Sequence, residues 1–234
     1  MKRVLIVLSA LTALASVSSA SPVLCAANQT IQYYQTTYTS LATACSVGDK
    51  LFYGFTYTGL PSGGATAPNN TQVFVNPDPA NPNEPGLVFS STMWYVTGTA
   101  IDTPIAIDSA IGFVVATVSG VPLIIDASLD FTGHNGTSGG GQAFIGETVV
   151  LGGGASASLE VDSTNGPYLS IANFAPVSTL TVSKDLQVRI ARGATGSASI
   201  TQFREGFSEM PEPVSCVLFG SGLLGLGILR RRRA

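Results

Sequence analysis

The chain has 234 residues but one histidine, one tryptophan and three cysteines, and only 11% of its residues are charged. A single histidine excludes a His-x-x-x-His metal motif, and neither a Gly-x-Ser-x-Gly elbow nor a Walker-type phosphate loop is present. His134 itself sits in Thr132-Gly-His-Asn-Gly136, at the mouth of a glycine-rich loop that offers little rigidity for aiming a catalytic base. Gly152-Gly-Gly154 lacks a strand–helix setting and reads as a turn. Basic residues are scarce where they would count. Six of the eleven, Lys2, Arg3 and Arg230 to Arg233, lie at the two ends. Residues 21–210 are left with five basic against thirteen acidic side chains, a net charge of −8. That surface has no electrostatic footprint for nucleic acid or anionic lipid. Helical periodicity is missing too: between the ends, no stretch sustains it for three turns with good helix formers.

What is present at the ends is distinctive. Lys2-Arg3 forms a positive n-region, Val4 to Val17 an apolar h-region, and Ser18-Ser19-Ala20 a small-residue cleavage site. Residues 1–20 therefore read as a signal peptide. The lipoprotein alternative fails because Leu24, before Cys25, is too large. At the other end Pro211-Glu212-Pro213 closes the folded body, since proline extends neither a ladder nor a helix interior. The uncharged run from Val214 to Leu229 follows. As a helix its 16 residues reach about 24 Å, short of a hydrocarbon core of about 30 Å. Arg230, Arg231, Arg232 and Arg233 then hold the C-terminus on the cytoplasmic side, leaving the body outside. A transient membrane helix and a plain C-terminal anchor both fit this pattern.

The order Pro211-Glu212-Pro213, Gly/Leu-rich Gly220–Gly227, arginine cluster resembles the PEP-CTERM sorting signal of Gram-negative bacteria. The resemblance covers residues 211–234 and implies an address rather than an activity. It implies cutting near Pro-Glu-Pro by an exosortase-type membrane protease, delivery to the cell surface or extracellular matrix, and association with exopolysaccharide and biofilm. Cys45 followed by Gly48-Asp49-Lys50 and an aromatic strand is similar to the start of many PEP-CTERM surface proteins, and carries no activity with it.

The body, 21–210, is long enough for one domain with a substantial core. Leu51-Phe-Tyr-Gly-Phe-Thr-Tyr-Thr58 alternates, which predicts a strand with Leu51, Tyr53, Phe55 and Tyr57 on one face. Further short strands are expected at 71–75, 87–97, 104–108, 110–118, 121–131, 143–151, 157–162, 178–182, 185–192 and 198–207. The last but one should turn Leu186, Val188 and Ile190 inward. Residues 31–42 read as a short helix or a loop. Strands this short and this regularly spaced predict an antiparallel β-sandwich of jelly-roll or immunoglobulin-like type.

Cys25 and Cys45 lie in the exported body, where a disulfide is expected; two separate buried thiols are the alternative. A bridge would stabilise by about 3 kcal/mol and would fasten a polar N-terminal segment that otherwise frays. Cys216 lies in the tail. Asn76, Asp78, Asn81, Asn83 and Glu84 crowd a proline-rich loop, which suits either a calcium ion or plain turn chemistry. Trp94-Tyr95 on a strand puts one ring in the core and the other out, where with Tyr53 or Tyr57 it would present a stripe for sugar rings. The composition points to a non-catalytic exported surface protein that needs no cofactor. The alternative is a secreted glycan-cleaving enzyme using Glu147 with Glu160 or Asp162, whose carboxyl groups would have to stand about 5–10 Å apart across a groove.

Overall fold

The computed structural model describes residues 22–78, 84–118, 123–133, 138–163 and 166–209. Residues 1–20, read above as a signal peptide, and the whole tail 211–234, with Pro211, Glu212, Pro213 and Arg230 to Arg233, lie outside the described residues. So do His134, Asn81 and Asn83.

In chain order the elements are β1 (Val23–Leu24), β2 (Gln29–Thr30), α1 (Ile31–Thr37), a 3-10 turn (Leu41–Thr43), β3 (Cys45–Val47), β4 (Lys50–Ser62), β5 (Phe74–Asp78) and β6 (Gly86–Ser90). Then come β7 (Tyr95–Thr99), β8 (Ile105–Thr117), β9 (Ile124–Gly133), β10 (Ser138–Gly139), β11 (Gly141–Leu151) and β12 (Ser156–Asp162). The last four are β13 (Leu169–Val177), β14 (Thr179–Ile190), β15 (Thr195–Ser199) and β16 (Gln202–Gly206). One sheet runs β1-β3-β4-β8-β14-β11-β12 and a second β13-β9-β16-β6-β5-β2, with a small sheet β10-β15-β7 beside them. Every pairing is antiparallel except β1 with β3. The all-β, antiparallel expectation holds.

The inward faces of the two large sheets enclose an aromatic centre. Phe113 on β8 stacks on Phe55 (5.5 Å between centroids) and on Phe89 (5.7 Å), and meets Phe207 edge-on at 6.4 Å. Phe89 stacks in turn on Phe203, joining β6 to β16. On β14 the inward set is Leu180, Val182, Lys184, Leu186, Val188 and Ile190, all buried, which bears out the expected facing of its last three members.

The alternation predicted for 51–58 holds from Phe55 onward, with Phe55 buried and Tyr57 packed against the core, and is out of phase before it. Phe52 and Phe55 are the buried residues, while Leu51, Tyr53 and Tyr57 are only half-buried. A β-bulge causes the shift: Tyr53 pairs with Val114 and Thr56 with Gly112, so Gly54 and Phe55 together oppose Phe113. Gly54 has φ +69°, a left-handed conformation that glycine adopts without a Cβ penalty. The bulge turns both halves of β4 so that each sends a phenylalanine inward.

Cys25 and Cys45 are bridged, with Cα atoms 4.7 Å apart. The bridge is not all that holds the N-terminal segment, contrary to expectation. Thr30 caps α1 through Tyr33 N–H, and α1 buries Ile31 and Tyr34 completely. Tyr34 packs edge-to-face on Phe55 at 4.9 Å and on Tyr38 at 5.0 Å, and its hydroxyl donates to the Ala26 carbonyl. The Gly54 N–H at the bulge donates to the Tyr38 carbonyl at 2.8 Å. Three tyrosines thus do what a polar-looking sequence concealed. Cys25→Ser should lower stability by up to about 3 kcal/mol. In hydrogen exchange it should expose the amides of Val23 to Cys25 while 31–37 stay protected. Loss of protection in α1 as well would return the bridge to its expected role as sole fastener.

Candidate functional site: an open cleft and a buried ionic triad

Trp94, just before β7, and Tyr95, its first residue, divide as expected, one in and one out. Trp94 is buried, its indole N–H donating to Ser109 Oγ at 3.1 Å. Ser109 also meets the Tyr57 hydroxyl at 3.2 Å, and that hydroxyl reaches the Pro68 carbonyl at 2.9 Å. Burial pushes the Tyr57 phenol up, against the hydrogen bonds from Ser109 and Trp94. Tyr57 is therefore part of the support, and Tyr53 lies half-buried on the outer side of β4. The exposed stripe of Tyr95 with Tyr53 or Tyr57 does not form.

Tyr95 instead stands half-exposed at 50%, in the wall of an open cleft of about 300 Å³. The turn after β4, Gly63 to Thr66, lines it too, with Met93, Val96 and Ile105. The Gly63 φ is +60°, and a Cβ there would stand 2.2 Å from the Pro104 carbonyl oxygen, so this turn requires glycine. Thr66, Thr92 and Thr97 supply hydroxyls, and among the described residues no charged side chain lines the cleft. Such a site offers an aromatic face, neutral donors and acceptors, and a rigid base; it offers no acid, base or nucleophile.

The candidate enzyme pair is overturned. Glu147 pairs in register with Lys184 and turns into the core, with its side chain wholly buried. Glu160, opposite Gly146, points to solvent on the other side of the same sheet, and Asp162 shares that side. Alternation along β11 and β12 makes this unavoidable, and no groove lies between the carboxyl groups. Of the candidate calcium ligands, Asn76, Asp78 and Glu84 are described, and each has another partner. Asp78 and Glu84 both serve Arg204, which donates to the Asp78 carboxylate and to the Glu84 carbonyl. Asn76 Oδ1 accepts the Asn28 N–H at 2.7 Å.

Three cations each gather two carboxyl groups. Lys50 reaches Asp49 at 2.7 Å and Glu209 at 2.6 Å, at the partly exposed rim. Burial, then Asp49, raises the Glu209 carboxyl, while Asp49 is held below its usual range by Glu209 and Lys50 in spite of burial. Gly48-Asp49-Lys50 therefore has a structural use, tying the start of β4 to Glu209, three residues beyond β16. Arg204 is the second case.

The third was invisible to motif searching and lies in the dry interior. Lys184 Nζ donates to Glu147 Oε2, its neighbour on β11, and to Glu205 Oε2 at 2.5 Å, from β16 in the facing sheet. All three side chains are fully buried. The Phe203 ring lies 5.6 Å from Nζ. Burial, then the adjacent Glu147, drives the Glu205 carboxyl well above its ordinary 4.5, more than Lys184 pulls it down. Burial works against the Lys184 ammonium, yet Glu147 and Glu205 outweigh it and its pKa rises. Oε1 of each glutamate is sealed with no donor. The sequence did carry a signal: Lys184 sits in the inward register of β14, Glu147 in that of β11, and Glu205 between Phe203 and Phe207.

The site and fold define an antiparallel β-sandwich with an open, uncharged cleft at one end. No family model matches the chain, and no curated protein matches it. Among solved structures it is similar to TmCBM61 in complex with β-1,4-galactotriose, at 14% identity over 65% of this chain and 88% of that one, with a TM-score of 0.29. It is also similar to the CBM22-1 xylan-binding domain of Xyn10C from Paenibacillus barcinonensis, at 10% identity over 65% and 87%, with a TM-score of 0.20. At those TM-scores neither likeness bears on what this chain binds.

Proposed function

We propose that the protein is an exported, non-catalytic component of the cell surface or extracellular matrix, and that its sandwich binds a neutral polysaccharide. The observation that carries the binding is the Tyr95 cleft. A half-exposed ring in the cleft wall can lie against the apolar face of a sugar, while Thr66, Thr92 and Thr97 offer hydroxyls to it. The lack of charge along the cleft favours a neutral glycan over a uronate-rich or sulfated one. Residues 1–20 and the PEP-CTERM-like tail supply the route: export, transient insertion of 214–229, and processing near Pro211-Glu212-Pro213 by an exosortase-type protease. A disulfide in the body suits that destination.

Affinity electrophoresis through gels containing neutral or acidic polysaccharides tests the binding. Retardation by a neutral polysaccharide is expected, with at least a roughly tenfold loss of affinity in Tyr95→Ala, in the range of an aromatic anchor at an interface. Indifference to every polysaccharide, or retardation that survives Tyr95→Ala, would remove the cleft from the account.

A further inference from the structure

The Lys184–Glu147–Glu205 triad does more than an ion pair requires. A lysine that only needed a counter-ion would be served by Glu147, its directly paired neighbour on β11. Glu205 adds a second carboxyl from the facing sheet, in contact with the same nitrogen, in a pocket sealed from water. Lys50 makes a useful contrast. It also holds two carboxyls, but theirs are about a fifth exposed, so water can hydrate the ions and reverse any condensation. Around Lys184 neither is possible.

We propose that Lys184 and Glu205 condense to an intramolecular amide that covalently joins the two sheets, with Glu147 as the proton-transferring group. The chemistry balances without any external reagent. Glu147, as carboxylate, takes a proton from the Lys184 ammonium, and the freed amine adds to Cδ of Glu205. The C–N bond forms and a tetrahedral intermediate results. Glu147 then returns that proton to the departing hydroxyl of Glu205, the C–O bond breaks, one water leaves, and Glu147 takes the second proton from the nitrogen, ending as a neutral acid. Ammonium and carboxylate are consumed together, so two charges disappear from a medium that solvates them poorly. Glu205 suits the electrophile's part because its carboxyl is the one kept protonated by burial and by Glu147, and a neutral acid accepts an amine where a carboxylate repels it. Fixed neighbours at contact distance supply the effective concentration that such a condensation needs. Glu147 touches the reacting nitrogen and so counts as catalytic in this step.

Peptide mapping of the full chain purified from the cells that export it decides the matter. The expected product is a cross-linked pair, one water lighter than its parts, joining the segment that contains Lys184 to the segment that begins at Glu205. Trypsin should also fail to cut after Lys184. In Glu147→Gln the two segments should separate at full mass and cleavage after Lys184 should return. Full-mass, separable segments from the unaltered protein would overturn the proposal and leave an ion triad only; because that measurement uses no variant, it does not depend on a mutant folding. A link to Glu147 instead of Glu205 would overturn the assignment of roles.

Discussion

Lys184→Met should unfold about 3–5 kcal/mol more easily than the unaltered protein in urea or guanidinium denaturation, the range found when one partner of a buried ionic cluster is removed. The variant keeps the volume at the centre of β14 but leaves Glu147 and Glu205 facing each other in a dry interior with no cation. The loss should depend on pH. Where the triad is uncondensed, Glu205 already has a raised folded pKa with Lys184 in place, and removing the one neighbour that lowers it raises it further. A carboxyl raised on folding contributes stability that is complete below its ordinary value, 4.5, and is lost as pH climbs through the raised one. The deficit should therefore be small near pH 4 and grow towards pH 8. Replacing all three, Lys184→Met with Glu147→Leu and Glu205→Leu, removes every buried polar group of the cluster, and this triple variant should be more stable at neutral pH than the single one. A single variant with an unchanged midpoint at neutral pH would mean that the interior admits water around the triad.

Phe113→Ala should cost a similar amount, about 3–5 kcal/mol, for a different reason. Phe113 is where the rings of β4, β6 and β8 and of the residue after β16 converge, touching Phe52, Phe55, Phe89 and Phe207. Its removal opens a cavity lined by four aromatic groups from both sheets, none of which can collapse into it without leaving another partner. Phe113→Leu should recover part of the loss. As a control, Val150→Ala on the outward face of β11 should shift the denaturation midpoint little, since Val150 is 42% exposed. Equal effects at 113 and 150 would contradict the layered core.

The sheet residues that alternate cleanly could be read in advance, and those that bury charge or expose apolar groups could not. Leu186, Val188 and Ile190 announce the inward face of β14. Lys184, in the same register, reads as a break, so one strand of Thr179–Ile190 divides into two. The Asp108-Ser109 pair divides β8 in the same way, though Ser109 is buried beneath Trp94. β13 escaped altogether: it is the edge of its sheet, carries Pro176, and leaves Leu169 and Ile171 more than half exposed, so no buried face marks it. The Gly54 bulge reversed part of a prediction because alternation holds only while register does. The candidate site was legible in part. Trp94-Tyr95 flagged the cleft, but its glycine wall comes from a turn some thirty residues earlier. Glu147 drew attention as a carboxyl on a strand, whereas its partners, Lys184 and Glu205, become neighbours only when two sheets close over them.

One consequence of the sheet order is mechanical. The chain leaves the described structure at Glu209, just after β16, and β16 lies inside its sheet, hydrogen-bonded to β9 on one side and β6 on the other. Tension that reaches the body from the C-terminal side, directed along that strand, must shear two ladders at once, and Glu205 within it grips the opposite sheet through Lys184. An edge strand in that position would peel away one bond at a time. By ending on an interior strand, the fold presents its strongest attachment to whatever pulls on its tail.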